Sequence, residues 1–354
     1  MSDQPKTGNS QGEDSGEALR AISLVQRGNL KTLEQTLRKQ WRLGQNIVLC
    51  WSADERGLLV LLVPHYFLGN YCAGGAENEE SAANEGFIRE LISGRRCKER
   101  DELFRIADRL DVAPTFIRLA TALSEDAAVV EAVEQLIKRY GLSYVNNRAV
   151  LLFDIVDFSL VTPFEQASQL NSLSYSLNSA YNKLLSRGIE VNFARTTTGD
   201  GYYVWNRDLG PNANQDLFYF LALVVADNLV ARQASRGNTV PVIRTAYHIG
   251  SHYELYQAEG INPTVFSYIV GDVTIELARM VDLAQGGQIL IGDFVSELTT
   301  REQGPGMAPV ELATPEFVSA CSAGLNVLRG VQLAGQGLTA LTCYLTQSVT
   351  AEGK

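Results

Sequence analysis

An apolar run interrupted by a single acid constrains this chain more than any other feature. Residues 149–155 read Ala-Val-Leu-Leu-Phe-Asp-Ile, so every side chain but Asp154 is apolar. A run of this kind is a central strand covered on both faces, since a half-exposed strand would alternate. An acid in such a strand is costly unless a cation meets it. Asp200 follows 200 − 154 = 46 residues later, inside Gly199-Asp200-Gly201. The flanking segments 189–197 and 202–205 predict a hairpin there, with Asp-Gly supplying the positive φ of a tight turn. Between the acids, Ala167, Leu170, Leu173, Leu177, Ala180 and Leu184 recur at helical spacing over 164–187, and Gly188 ends the helix. A strand, a helix and a returning hairpin bring the two acids side by side.

The pattern continues with a helix at 217–231, strands at 242–249 and 252–256, a helix at 272–283, a strand at 288–291 and a closing hairpin of 326–333 with 338–345. This predicts an α+β fold, helices on a mixed sheet. Residues 1–18 are polar and predict a disordered tail. Residues 19–145 predict a small helix-rich domain. In it Leu30, Leu33, Leu37 and Trp41 form one helical stripe, and 46–51 with 58–63 suit a strand pair. Further helical faces carry Phe87, Leu91 and Ile92, then Leu103, Ile106 and Leu110. Residues 127–140 read as an amphipathic helix with Val130, Val133, Leu136 and Ile137 inward, closed by Gly141. The second domain is expected over 146–348.

Composition removes several functions. A formal net charge of −10 leaves no basic surface for nucleic acid. Five cysteines, Cys50, Cys72, Cys97, Cys321 and Cys343, stand far apart with no CxxC pair, which excludes a zinc site. Their odd number and the polar start predict a reducing cytoplasm and no export signal. The longest apolar runs, 58–63 and 217–226, are shorter than the about 20 residues a membrane span takes. His65, His248 and His252 are too dispersed for a metal site and are expected to be structural. The Ser and Thr residues near Asp200 have no histidine partner, so nucleophilic catalysis is not expected.

Two carboxylates converging at strand ends suit a pair of Mg²⁺ or Mn²⁺ ions serving phosphoryl transfer. The backbone N–H groups of Ile155 to Phe158, where strand turns into helix, suit a triphosphate. Taken singly, Asp154 reads equally as a strand-end turn acid and Asp200 as an ordinary hairpin residue.

The full series is more specific. Phe153-Asp154-Ile155 with Phe158-Ser159, Thr198-Gly199-Asp200-Gly201-Tyr202-Tyr203, Val270-Gly271-Asp272 with Ala278-Arg279, and Gly287-Gln288-Ile289-Leu290-Ile291 resemble class III adenylate and guanylate cyclases in order and spacing. The resemblance covers roughly residues 147–347. It implies a ferredoxin-like βαβ domain acting as a homodimer, with each site shared between subunits, on a nucleoside triphosphate. It implies a two-metal set of Asp154, Ile155 and Asp200, a transition-state arginine at Arg279 and a triphosphate cation at Arg329, with Phe158 beside the substrate. An exposed helix arginine and a hairpin surface charge are the plain readings of Arg279 and Arg329.

Some positions depart from that pattern. The ribose-orienting asparagine is replaced by Ile275, with Thr274 adjacent, and Asp157 stands where a glycine is usual and is expected to cap the following helix. The adenine-reading lysine and aspartate positions hold Thr196 and Tyr268, and the guanine readers are absent too. A tyrosine takes the volume a purine needs, and Arg195 offers a donor for a carbonyl if the strand register allows, while Tyr268 also reads as a core or interface aromatic. In this the chain resembles the pyrimidine cyclases of Pycsar antiphage systems. That implies UTP, with CTP as the alternative, a cyclic pyrimidine monophosphate product and a separate effector protein. A purine cyclase, and a catalytically silent cyclase-like regulatory module, are the competing readings.

Overall fold

The computed structural model describes residues 22–42, 44–73, 78–189, 191–208, 210–258, 265–298, 310–328, 332–333 and 336–337. The chain divides into two compact units, residues 1–144 with 253–266, and residues 145–252 with 267–354. Each has its own core.

The first unit is built on a three-stranded antiparallel sheet, β1 (Asn46–Asp54), β2 (Gly57–Pro64) and β3 (Thr115–Arg118), in that order. Helix α1 (Leu24–Trp41) buries Leu30, Leu33, Leu37 and Trp41, the stripe expected from their spacing, and Ser23 caps its first turn. With Val133 and Ile137 of helix α2 (Ala127–Lys138) these cover one sheet face; Leu91, Leu103 and Ile106 cover the other. Each leucine so buried contributes about 1.5–3 kcal/mol. A charged pair sits inside. The Glu134 carboxylate accepts from Trp51 Nε1 and from the N–H groups of Arg96 and Cys97, while the Arg96 guanidinium donates to the carbonyls of Leu49 and Leu142. Arg96 is fully buried, and that burial lowers its pKa to about 10.

The second unit follows the chain order β4 (Leu142–Ile155), α3 (Pro163–Leu185), β5 (Phe193–Thr197), β6 (Gly201–Asn206), α4 (Ala213–Ala234), β7 (Ile243–Ala258). Its sheet order is β5-β6-β4-β7, then β8 (Val265–Val270), with β9 (Ile289–Ile291) parallel to β7. Second, third, first, fourth is the ferredoxin-like arrangement of an α+β sandwich. On one sheet face Leu151, Phe153, Val204 and Tyr247 pack against α3 and α4. On the other, Val150, Leu152, Trp205 and Ala246 pack against α5 (Asp272–Leu283).

Local chemistry explains the boundaries. Helix α3 starts with a capping box between Thr162 and Glu165 and has Pro163 at its first position. Asp157, expected to cap, makes no side-chain cap bond and lies in the left-handed region at φ 57. Helix α4 has 22 residues, is long and apolar enough to cross a membrane, and extends well beyond the apolar run 217–226. Every side chain from 213 to 224 is nonetheless buried in protein, and two of the helix's polar side chains are paired: Asn214 accepts from the Ala149 N–H and Asp227 binds Lys183 at 2.7 Å.

Other expectations are corrected. Segments 242–249 and 252–256 are one strand, β7, and the strand expected from residue 189 begins at Phe193. Strand β8, the hairpin of Val295–Leu298 with Val310–Ala313 and the helix Thr314–Gly324 were not foreseen. Residues 325–328 form a 3₁₀ turn in place of the start of the closing hairpin, and Gln332–Leu333 pairs with Gln336–Gly337. The remainder of that hairpin, the tail 1–18 and Cys343 lie outside the described residues.

Candidate active site

Asp154 is the last but one residue of β4, and Gly201 of β6 pairs directly opposite it. The strands meet closely: a Cβ on Gly201 would lie 1.9 Å from the Phe153 carbonyl oxygen. The turn before it takes its positive φ at Gly199, φ 107, and not at the glycine of the Asp-Gly pair. The Ile155 N–H donates to the Asp200 carbonyl at 3.1 Å, which fixes the hairpin tip beside the end of β4. Asp200 Oδ1 accepts from the Thr198 hydroxyl at 3.1 Å. The two acids are thus neighbours through backbone pairing, as the strand-helix-hairpin reading requires.

Arg244 of β7 completes the centre from the other side of β4. Its Nε donates to Asp154 Oδ2 at 2.6 Å and its guanidinium reaches the Ala284 carbonyl at 3.5 Å. Asp154 is 7 % exposed, and burial raises its pKa; Arg244 opposes that shift, while Asp200 and Asp282, in the last turn of α5, add to it. The site is therefore an anionic pocket held by one internal cation. Arg244 was missed in the sequence although a signal existed: an arginine within the largely apolar run 242–247 needs a carboxylate.

The acids fit a divalent pair. Among the described residues no group of three or more His, Cys, Asp or Glu is placed to hold a metal. Mg²⁺, however, is commonly held by one or two carboxylates, with water and substrate phosphates completing its shell. The Ile155 side chain is buried in the core, so only its backbone is open to that set.

Part of the expected phosphate loop is already committed. The Ile155 N–H goes to Asp200 and the Val156 N–H to the Val242 carbonyl at 2.9 Å. The N–H groups of Asp157 and Phe158 carry no such bond among the described residues. The Phe158 ring packs against the core beside α3.

The remaining candidates do not gather around Asp154. Arg279 is exposed on the outer face of α5 and has no ion pair among the described residues. Ile275, one turn earlier, is 50 % exposed. Thr196 pairs with Tyr203, whose hydroxyl donates to the Thr274 carbonyl at 3.0 Å and ties β6 to the first turn of α5. Arg195 lies on the opposite face from Thr196 by strand alternation. It donates to Asn178 Oδ1 at 3.1 Å on α3 and covers the Tyr202 ring, so it is not a second donor beside Thr196. Tyr268 is half-buried on β8, alternating with buried Ser267 and Ile269, and β8 and β5 occupy the two ends of the sheet order. The structure does not bring Thr196, Arg195 and Tyr268 together within one chain. Arg329 lies outside the described residues.

The histidines are structural in setting. His248 contacts Glu276 of α5 through Nε2. His252 is 1 % exposed with neither ring nitrogen bonded among the described residues, and burial pushes its pKa down to about 4.

No family model matches the chain, and no curated protein matches it. Among solved structures it is similar to the catalytic core of a rhodopsin-guanylyl cyclase with converted specificity in complex with ATPαS, at 17% identity and TM-score 0.34, over 49% of this chain and 97% of that one. It is similar to the guanylate cyclase domain of RhGC from Catenaria anguillulae in complex with GTP, at 17% identity and TM-score 0.34, over 49% and 98%. It is also similar to the adenylyl cyclase CyaB from P. aeruginosa, at 15% identity and TM-score 0.32, over 49% and 94%.

Proposed function

We propose that the second unit is a nucleotidyl cyclase that converts a nucleoside triphosphate to its 3′,5′-cyclic monophosphate and pyrophosphate. The observation that carries this is the Asp154–Asp200 pair, held at adjacent strand ends with Arg244 as its only bonded cation among the described residues. In the reaction the ribose 3′-oxygen bonds to the α-phosphorus, the bond from that phosphorus to the β-phosphate bridge breaks, and the hydroxyl proton passes to solvent. Bound Mg²⁺ or Mn²⁺ supplies polarisation of the 3′-hydroxyl and neutralisation of the triphosphate. Asp154 and Asp200 hold that charge at one place and keep it there by backbone pairing. Were Asp154 to hold such an ion, the Arg244 guanidinium beside it would be a cation available to the polyphosphate. The N–H groups of Asp157 and Phe158 offer donors to the same anion.

The exposed Arg279 serves the site of a second copy, so the active form is a homodimer. Exposed Ile275 and Leu283 on the same helix support an interface there. The substrate class is a pyrimidine triphosphate, UTP before CTP, because neither Thr196 nor Tyr268 carries the charge a purine reader uses. The cyclic product then acts as a messenger to a separate effector protein, in antiphage defence, as the resemblance implies.

The test is a product assay by mass spectrometry with each of the four nucleoside triphosphates and Mn²⁺ or Mg²⁺. A cyclic pyrimidine that disappears in Asp154→Asn and Asp200→Asn supports the reading. Cyclic AMP or GMP alone overturns the base assignment and leaves the cyclase. A silent module is favoured by Ile275, which gives ribose no polar contact, and by the closed Asp154–Arg244 pair; nucleotide binding without product from any triphosphate establishes it.

A further inference from the structure

The reverse side of β7 carries a second, separate cavity. Ile243 and Thr245 flank Arg244 in sequence and face away from Asp154 by strand alternation. There they line a cavity of about 60 Å³ with Val225, Asn228, Leu229 and Arg232 of α4, closed by residues 287–289. At one water per roughly 15 Å³, it has room for roughly four waters or a chain of three to four carbons.

Its lining states what it accepts. Asn228 is 3 % exposed and its Nδ2 has no hydrogen-bond partner among the described residues. Thr245 is 1 % exposed. Arg232 stands exposed at the mouth with no carboxylate partner among the described residues, whereas the neighbouring Asp227 is already paired with Lys183. The lining contains no Asp, Glu, His or Cys, which excludes a metal cation. The amide, hydroxyl and guanidinium exclude a purely apolar occupant, and the volume excludes a nucleotide.

We propose that this cavity binds a small carboxylate, its oxygens on Arg232 and Asn228 and its short alkyl chain against Val225, Leu229 and Ile243. The occupant touches the two residues on either side of Arg244, so it is placed to bias the grip of Arg244 on Asp154. Binding itself does not depend on the reaction proposed above.

The test is a calorimetric and saturation-transfer NMR titration of the full chain with butyrate, with n-butanol as the neutral probe of equal chain length. Butyrate is expected to saturate. Butanol, and butyrate with the Arg232→Gln protein, are expected to bind at least about tenfold more weakly, since charge-assisted hydrogen bonds exceed neutral ones. Arg232 is exposed, so this variant keeps the fold. Val225→Phe, which fills the cavity, should abolish the signal while circular dichroism stays unchanged. Absence of saturable butyrate binding, equal binding of butanol, or undiminished binding by Arg232→Gln overturns the proposal.

Discussion

The Arg244 guanidinium donates through Nε to Asp154 Oδ2 at 2.6 Å, joining neighbouring strands whose residues lie 90 positions apart. This pair gives a buried acid its counter-charge from within the chain. Arg244→Met therefore removes a charge-assisted bond and leaves Asp154 uncompensated. The metal-free protein should lose about 1–3 kcal/mol in denaturant unfolding, and Mn²⁺ should restore part of that loss. Equal stability of the two proteins without metal would show that the pair contributes nothing.

Acid should weaken the second unit through His252. Burial holds its folded pKa near 4, below the usual 6.5, so the unfolded chain binds the extra proton between those values. Stability is then full above about pH 6.5 and falls as pH drops toward 4, by about 3 kcal/mol at most. Unfolding of His252→Phe followed across that range should show a flatter profile than the unaltered protein.

Arg279 is exposed and has no ion pair among the described residues, so Arg279→Ala should leave the melting temperature unchanged while removing product formation. If two copies share each site, mixing inactive Asp154→Asn with inactive Arg279→Ala restores activity, to about a quarter of the original at equal amounts of each. A site completed within one chain gives no recovery on mixing.

In the first unit, Glu134 accepts three hydrogen bonds out of contact with water, and Arg96 is enclosed with it. Arg96→Met strands the carboxylate and should cost about 3–5 kcal/mol, more than the double replacement with Glu134→Gln. Thermal melting of the three proteins gives that order.

What the sequence disclosed follows from how local the cause is. The stripe from Leu30 to Trp41, the helix stopped near Gly188 and the hairpin around Asp200 rest on spacing and turn chemistry within a few residues, and each is present. Strand β7 looked broken because Gly250-Ser251 resembles a turn. Gly250 is instead small for a distant reason: a Cβ there would lie 3.1 Å from the Val273 side chain, so it admits α5. Asp157 resembled a cap, but Thr162 with Glu165 does that work five residues later. Arg244 escaped attention because its partner is remote in sequence. Adjacency in sequence suggests Arg195 as a donor beside Thr196, and the alternation of β5 turns it to α3 instead.

Gly201 has a consequence for how this centre tolerates change. The spacing of the two acids is set by an atom that is missing, not by any side chain that could be traded for another. Even alanine at 201 would drive β6 away from β4 and carry Asp200 with it, leaving both carboxylates chemically intact and out of reach of a shared ion. A lineage carrying such a change would keep both acids in its sequence while losing the arrangement on which the proposed reaction rests.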